Sequence, residues 1–96
     1  MSTRPSPRSA ALDTPEYRAA SARSLGDYIR IARKRDGRPL EELAPLAGLT
    51  TEEWTEIEEG RLQPAWEAVL MLATVLRLGR SWMPRLRRVY IRAWED

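Results

Sequence analysis

The segment LEELAPLAGLTTEEWTEIEEG, residues 40–60, decides the fold of this chain. Apolar residues recur at helical spacing on both sides of a central glycine: Leu40, Leu43, Leu46, Trp54 and Ile57. Gly48 supplies the permissive backbone that a tight turn needs. Thr50 with Glu53 forms a capping box, which marks the start of the second helix. The segment therefore predicts two short helices joined by a tight turn.

Three further helices are predicted around this segment. Upstream, a helix is predicted to begin at Ser24, where Asp27 completes a capping box, and to end at Gly37. Its apolar face consists of Leu25, Tyr28, Ile29 and Ala32. Downstream, Pro64 and Ser81 open two more helices. Because no stretch reads as a strand, the predicted fold class is an all-α, five-helix domain.

The predicted organisation has three parts: an N-terminal arm (residues 1–23), a main domain (residues 24–79) and a C-terminal helix (residues 80–96). Residues 1–13 are mostly Ser, Arg, Pro and Ala, with almost nothing to bury, which is typical of a flexible segment. Thr14 and Pro15 then resemble a helix start, so a short helix is predicted over residues 14–23.

The composition excludes several classes of protein. The 96 residues contain no cysteine and no histidine, which removes zinc fingers, disulfide frameworks, thiol catalysis and Ser-His-Asp triads. Adjacent glutamates such as Glu41 and Glu42 point to different helix faces, and no glycine-rich phosphate loop is present, so neither an enzyme nor a cofactor is expected. The most apolar run, residues 68–76, is far shorter than the roughly 20 residues of a membrane span. We therefore expect a cytoplasmic protein with no membrane segment.

The sequence also resembles the Cro/cI-type, or xenobiotic-response-element, helix-turn-helix family. The resemblance spans residues 24–79 and rests on positions that match the family's pattern: Leu25, Gly26, Ile29, Arg33, Gly37, Leu43, Ala44, Ala47, Gly48, Leu49, Thr50, Ile57, Glu58, Gly60, Pro64, Leu72 and Ala73. It implies a lambda-repressor-like arrangement of five helices. It also implies that Arg33 and Glu58 form the family's internal ion pair, which ties the third helix to the first.

The same resemblance implies a sequence-specific DNA-binding transcriptional regulator, most simply a repressor. In such proteins the third helix enters the major groove of double-stranded DNA. The residues expected to meet base edges are Thr51, Glu52, Thr55 and Glu56. The residues expected to contact phosphates include Arg38, Arg61 and Gln63. A glutamate can accept a hydrogen bond from the amino group of cytosine, so acidic readers are chemically suitable.

Charge is divided unevenly along the chain, and this division leaves a second function open. Residues 37–76 contain eight glutamates against two arginines, whereas residues 77–96 contain six arginines against two acidic residues. Phosphate neutralisation supplies most non-specific DNA affinity, yet residues 39–59 contain no Lys or Arg. An acidic third helix suits a basic protein surface better. The alternative is therefore an antitoxin-like, cytoskeletal or phage regulatory adaptor that binds a protein partner instead of DNA.

The last predicted helix carries a stripe of apolar and aromatic residues: Trp82, Leu86, Val89 and Tyr90. We do not expect the short fourth helix to cover this stripe alone, so it predicts a homodimer. Arginines lie on the opposite side of the helix: Arg85, Arg87, Arg88 and Arg92. These arginines either keep the helix solvated or face an acidic surface.

Overall fold

A computed structural model gives the structure of residues 15–95, which contain helices and turns and no strand. The five α-helices are α1 (Pro15–Asp36), α2 (Leu40–Leu46), α3 (Thr51–Glu58), α4 (Trp66–Val75) and α5 (Met83–Tyr90). A 3₁₀ turn (Arg80–Trp82) precedes α5, and a π-helical turn (Ile91–Glu95) follows it. The predicted all-α, five-helix class is confirmed. The predicted flexible arm over residues 1–13 lies outside the described residues.

The first helix is longer than predicted, because α1 runs through Ser24 without a break. The predicted helix start at Ser24 is wrong: its hydroxyl donates to the Ala20 carbonyl, 3.0 Å away within the same helix, and caps nothing. Packing explains why the helix continues upstream. Ser21 and Ala22 are buried, and the turn at Gly60 lies so close that a Cβ there would be 3.0 Å from the Arg23 backbone nitrogen. Tertiary contact thus overrides the local capping signal.

The segment at residues 40–60 folds as its sequence predicts. Gly48 has a φ of 73°, and after it the Leu49 N–H donates to the Ala44 carbonyl at 2.9 Å. The capping box is confirmed: the Glu53 N–H donates to the Thr50 hydroxyl, and the Thr50 N–H donates to the Glu53 carboxylate. These bonds satisfy amide groups that the start of α3 would otherwise leave unpaired.

One hydrophobic core joins all five helices. Its most deeply buried large side chains are Leu25, Ile29, Leu43, Trp54, Val69, Leu72 and Leu86. Helix α1 packs against α3, α5 and the π-helical turn, so it is the central helix of the domain. Tyr90 is buried as well, and its hydroxyl donates to the Pro64 carbonyl at 2.8 Å, which ties the end of α5 to the start of the α4 region.

This core changes the interpretation of the C-terminal stripe. Leu86 is 1% exposed and Tyr90 is 3% exposed, so both are covered within one chain and are not available to a second copy. Trp82 and Val89 are half-buried, and Trp82 packs edge-to-face on Tyr28 with ring centroids 5.8 Å apart. The stripe predicted as a dimer surface is therefore mainly core, because α1 is long enough to cover it.

No helix within residues 15–95 combines the length and the apolar content that crossing a membrane requires.

Candidate functional site

The inner face of α3 is fixed by a polar group as well as by apolar packing. Trp54 and Ile57 are buried, and Glu58 is only 6% exposed. Its carboxylate accepts from Arg33 Nε at 2.6 Å, from Arg33 Nη2 at 3.0 Å and from Trp54 Nε1 at 2.7 Å. The hydrogen bond to Glu58 raises the pKa of Arg33 above its usual value. The structure thus brings Arg33 and Glu58 together, in a forked geometry that suits a buried charge pair.

Gly26 lets α1 and α3 approach closely beside this pair. A Cβ at Gly26 would lie 2.8 Å from the Glu58 Cα and would overlap the Glu58 carbonyl. Any larger residue would push α3 away from α1. In the sequence, Gly26 stands out only as one of the positions that carry the resemblance described above. Its packing role could have been predicted from one feature of the sequence: an isolated glycine inside a helix usually marks a close contact with another element.

The outer face of α3 is open, and five of the seven residues predicted to contact DNA line one shallow concavity there: Thr51, Glu52, Thr55, Glu56 and Arg61. The Thr55 hydroxyl donates to the Thr51 carbonyl at 2.9 Å, and the Thr51 hydroxyl donates to Glu52 Oε2 at 3.2 Å. The pKa of Glu52 lies below its usual value, mainly because its own backbone N–H and then the Thr51 hydroxyl bond to the carboxylate. Glu52 is therefore ionised at neutral pH and offers only acceptors.

The other two predicted contact residues lie outside the concavity. Gln63 is exposed in the loop after α3. Arg38 donates from Nε to Asp36 Oδ1 at 2.7 Å and from Nη2 to the Val75 carbonyl at 2.7 Å. The bond to Val75 ties the loop before α2 to the end of α4, and the side-chain bond to Asp36 lowers the pKa of that carboxyl from 3.8 to about 2. Arg38 thus has a structural role.

Charge on the helix-turn-helix surface is mainly negative. The exposed acidic residues of α2 and α3, with the residue after α3, are Glu41, Glu42, Glu52, Glu53, Glu56 and Glu59. Arg61 forms an ion pair with Glu59, so the cation nearest the concavity already has a carboxylate partner. Any anionic ligand would approach this surface against its field.

The surface of α5 has the opposite sign. Arg85 and Arg88 are exposed on α5, and Arg92 is exposed in the π-helical turn that follows it. Arg87 behaves differently: its guanidinium lies 4.8 Å from the centre of the Trp66 ring, and Nη2 donates to Glu95 at 3.2 Å. Three cations therefore face solvent along α5 and the π-helical turn, while the fourth is held against the protein.

Within residues 15–95 there is no group of three or more acidic side chains placed to hold a metal ion.

The comparisons with known proteins give one result. A family model described as a helix-turn-helix domain matches residues 24–86, which include α2, α3, α4 and most of α1. The search of curated proteins and the search of solved structures give no match.

Proposed function

The chain belongs to the helix-turn-helix domain family, and from that premise we propose that it is a sequence-specific DNA-binding transcriptional regulator of the Cro/cI type. The observation that carries the proposal is the clustering on α3. Thr51, Glu52, Thr55 and Glu56 share one outward concavity, while Glu58 and its partners hold the inner face rigidly. A helix that enters the major groove needs this division between an anchored face and a reading face.

The reading chemistry follows from the side chains on that outer face. Glu52 and Glu56 accept hydrogen bonds from cytosine amino groups, and the threonine hydroxyls both donate and accept. We assign phosphate contacts to Arg61 and Gln63, which lie beside the helix. Arg38 contacts a DNA phosphate only if its ion pair with Asp36 breaks. Its main role is therefore to hold the start of α2 in place.

We further propose a homodimeric, cytoplasmic repressor. Two copies are needed to read two half-sites of an operator, and occupancy of a promoter is sufficient to block transcription. With Leu86 and Tyr90 buried, the remaining candidate surface on α4 is Leu70 and Met71, which are 39% and 46% exposed. Met71→Arg is expected to abolish dimerisation in sedimentation equilibrium without unfolding the chain, because the side chain already faces water.

A second candidate function is favoured by a specific observation. The helix-turn-helix surface exposes six glutamates, and both Arg38 and Arg61 are engaged in ion pairs. Such a surface is complementary to a basic region of another protein. In this case the chain is an adaptor that uses the helix-turn-helix to bind a protein partner, and DNA affinity is negligible.

The test is selection of binding sequences from a randomised duplex library, followed by fluorescence anisotropy at low and high salt. We expect the wild type to enrich one sequence and to lose affinity as salt rises. Glu52→Gln with Glu56→Gln should raise affinity for random duplex and abolish the preference for the selected site. Glu41→Gln with Glu42→Gln on α2 is the matched control, which should raise random affinity and keep the preference.

Two results would overturn the DNA proposal. If no variant binds duplex at low salt, the adaptor function stands in its place. If the α2 and α3 variants change sequence preference equally, α3 is not the reading helix.

A further inference from the structure

A cleft separate from the helix-turn-helix surface lies between the second half of α1 and the loop after α4. Its volume is about 350 Å³, within the range of small-molecule sites. Ile31, Leu78 and Trp82 provide its apolar lining, and Ile31 is 51% exposed there. An exposed isoleucine beside a tryptophan is apolar surface that folding leaves uncovered.

Two arginines line the same cleft, Arg35 and Arg77. Among residues 15–95, neither side chain takes part in a hydrogen bond or ion pair. The only acidic residue in the lining is Asp36, whose carboxylate is held by Arg38 at 2.7 and 2.9 Å, while the charge of Arg77 acts on it only as a minor influence. The cleft therefore keeps a net positive charge next to an apolar wall.

The backbone of Arg77 positions its side chain at the end of α4, beside the cleft. Within the described chain, Arg77 is the one non-glycine residue with a positive φ, at 59°. It ends α4 in a Schellman arrangement, in which the Leu78 N–H donates to the Ala73 carbonyl at 2.9 Å. Glycine is the residue that such a position favours, and glycines fill the three other positive-φ positions, at 37, 48 and 60.

We propose that this cleft binds a small amphipathic carboxylate. The apolar body of the ligand lies against Ile31, Leu78 and Trp82, and its carboxylate bonds to Arg35 and Arg77. Arginine provides a planar fork of donors that matches a carboxylate, which explains why an arginine occupies a position better suited to glycine. The proposal is independent of what α3 binds, since the two surfaces share no residue.

The probe is octanoate, measured by isothermal titration calorimetry and by the change in tryptophan emission that Trp82 provides. We expect one saturable site with a dissociation constant of about 1 mM, as befits ten heavy atoms. Octan-1-ol tests the apolar contacts without the charge, and octylammonium reverses the charge. We expect the alcohol to bind about tenfold more weakly, and the cation to show no saturable binding.

Variants of Arg77 separate binding from folding. Arg77→Gly should weaken octanoate binding about tenfold and raise the unfolding temperature by about 4 °C, because it removes the charge and relieves the backbone. Arg77→Lys keeps the positive charge and loses the planar fork, so it should weaken octanoate binding less than Arg77→Gly does. Arg88→Gln, an exposed arginine of α5 outside the cleft, is the matched control and should change neither quantity. Ile31→Asp should fold and fail to bind, since its side chain is already half exposed.

Three outcomes would overturn the proposal: octanoate and octanol binding equally well, octanoate showing no saturable site, or Arg77→Gly binding octanoate as the wild type does.

Discussion

Helices α3 and α5 are built alike on the inside and oppositely on the outside. Each has eight residues and buries apolar side chains beside one polar anchor, Glu58 on α3 and Tyr90 on α5. Their exposed faces differ in sign, because α3 presents glutamates and α5 presents arginines. The comparison indicates that the inner anchors determine where the helices lie, while the outer charges determine what each helix can approach.

The largest effect is expected from breaking the α3 anchor. Arg33→Ala leaves Glu58 as a buried carboxylate without its cation, and we expect a loss of about 3–5 kcal/mol in the free energy of unfolding. Arg30→Ala is the control on the same helix, since Arg30 forms an exposed pair with Asp27 that contributes about 0–1 kcal/mol. Urea denaturation measures both. Equal losses in the two variants would show that the Glu58 anchor does not fix α3.

A smaller effect is expected from the α5 anchor. Tyr90→Phe keeps the ring in the core and removes the hydroxyl that the Pro64 carbonyl accepts from, so we expect a loss of about 1–2 kcal/mol. A loss clearly smaller than that of Arg33→Ala would show that the charged anchor matters more, because removal of the neutral Tyr90 hydroxyl leaves no buried charge behind. A variant as stable as the wild type would mean that water replaces the tyrosine hydroxyl at the carbonyl.

Acid titration tests a third contact, the ion pair between Asp36 at the end of α1 and Arg38 before α2, which belongs to neither anchor. Because Arg38 lowers the pKa of Asp36 from 3.8 to about 2, this pair stabilises the fold above pH about 4 and ceases to do so as the pH falls towards 2. Asp36→Asn should therefore be less stable than the wild type at neutral pH, and the difference should shrink between pH 4 and 2. Thermal unfolding across that range measures it. A difference that is constant with pH would exclude the ion pair as the cause.

The smallest effect on stability is expected from the outer faces. Glu52→Gln with Glu56→Gln, or Arg85→Gln with Arg88→Gln, should each change the free energy of unfolding by no more than about 0.5 kcal/mol, because these side chains are exposed. The two pairs should shift retention on a cation-exchange column in opposite directions, later for the glutamate variants and earlier for the arginine variants. A large loss of stability in either pair would mean that the outer face carries an intramolecular contact.

Local patterns predicted the parts of the fold that local chemistry controls. The turn at Gly48, the capping box of Thr50 and the inward face of Trp54 and Ile57 all follow from spacing and backbone preference. The length of α1 was not predictable in the same way, because Ser24 carries a true capping pattern that burial of Ser21 and Ala22 overrides. The turn at Gly60, which is distant in the sequence, lies against the backbone of Ala22 and Arg23.

The candidate site was predictable as a set of residues more than as an arrangement of bonds. The helical period places Thr51, Thr55 and Glu56 on one outward face, as found. The engagement of Arg38 by Asp36 and the Val75 carbonyl depends on where α4 ends, which no pattern around residue 38 reveals. Likewise, the sequence places Leu86 in an apolar stripe that is predicted to lie on the surface. In the structure Leu86 is part of the core, because α1 packs over it.

The close approach at Gly26 has a mechanical consequence. No side chain separates the two backbones where α1 meets Glu58 of α3, so there are no rotamers between them to absorb a displacement. The two hydrogen bonds from Arg33 to Glu58 also hold the helices together. Arg33 directly follows Ala32, which lines the cleft described above. We therefore expect α1 and α3 to move as one unit, so that a displacement of α1 near Ala32 also displaces α3.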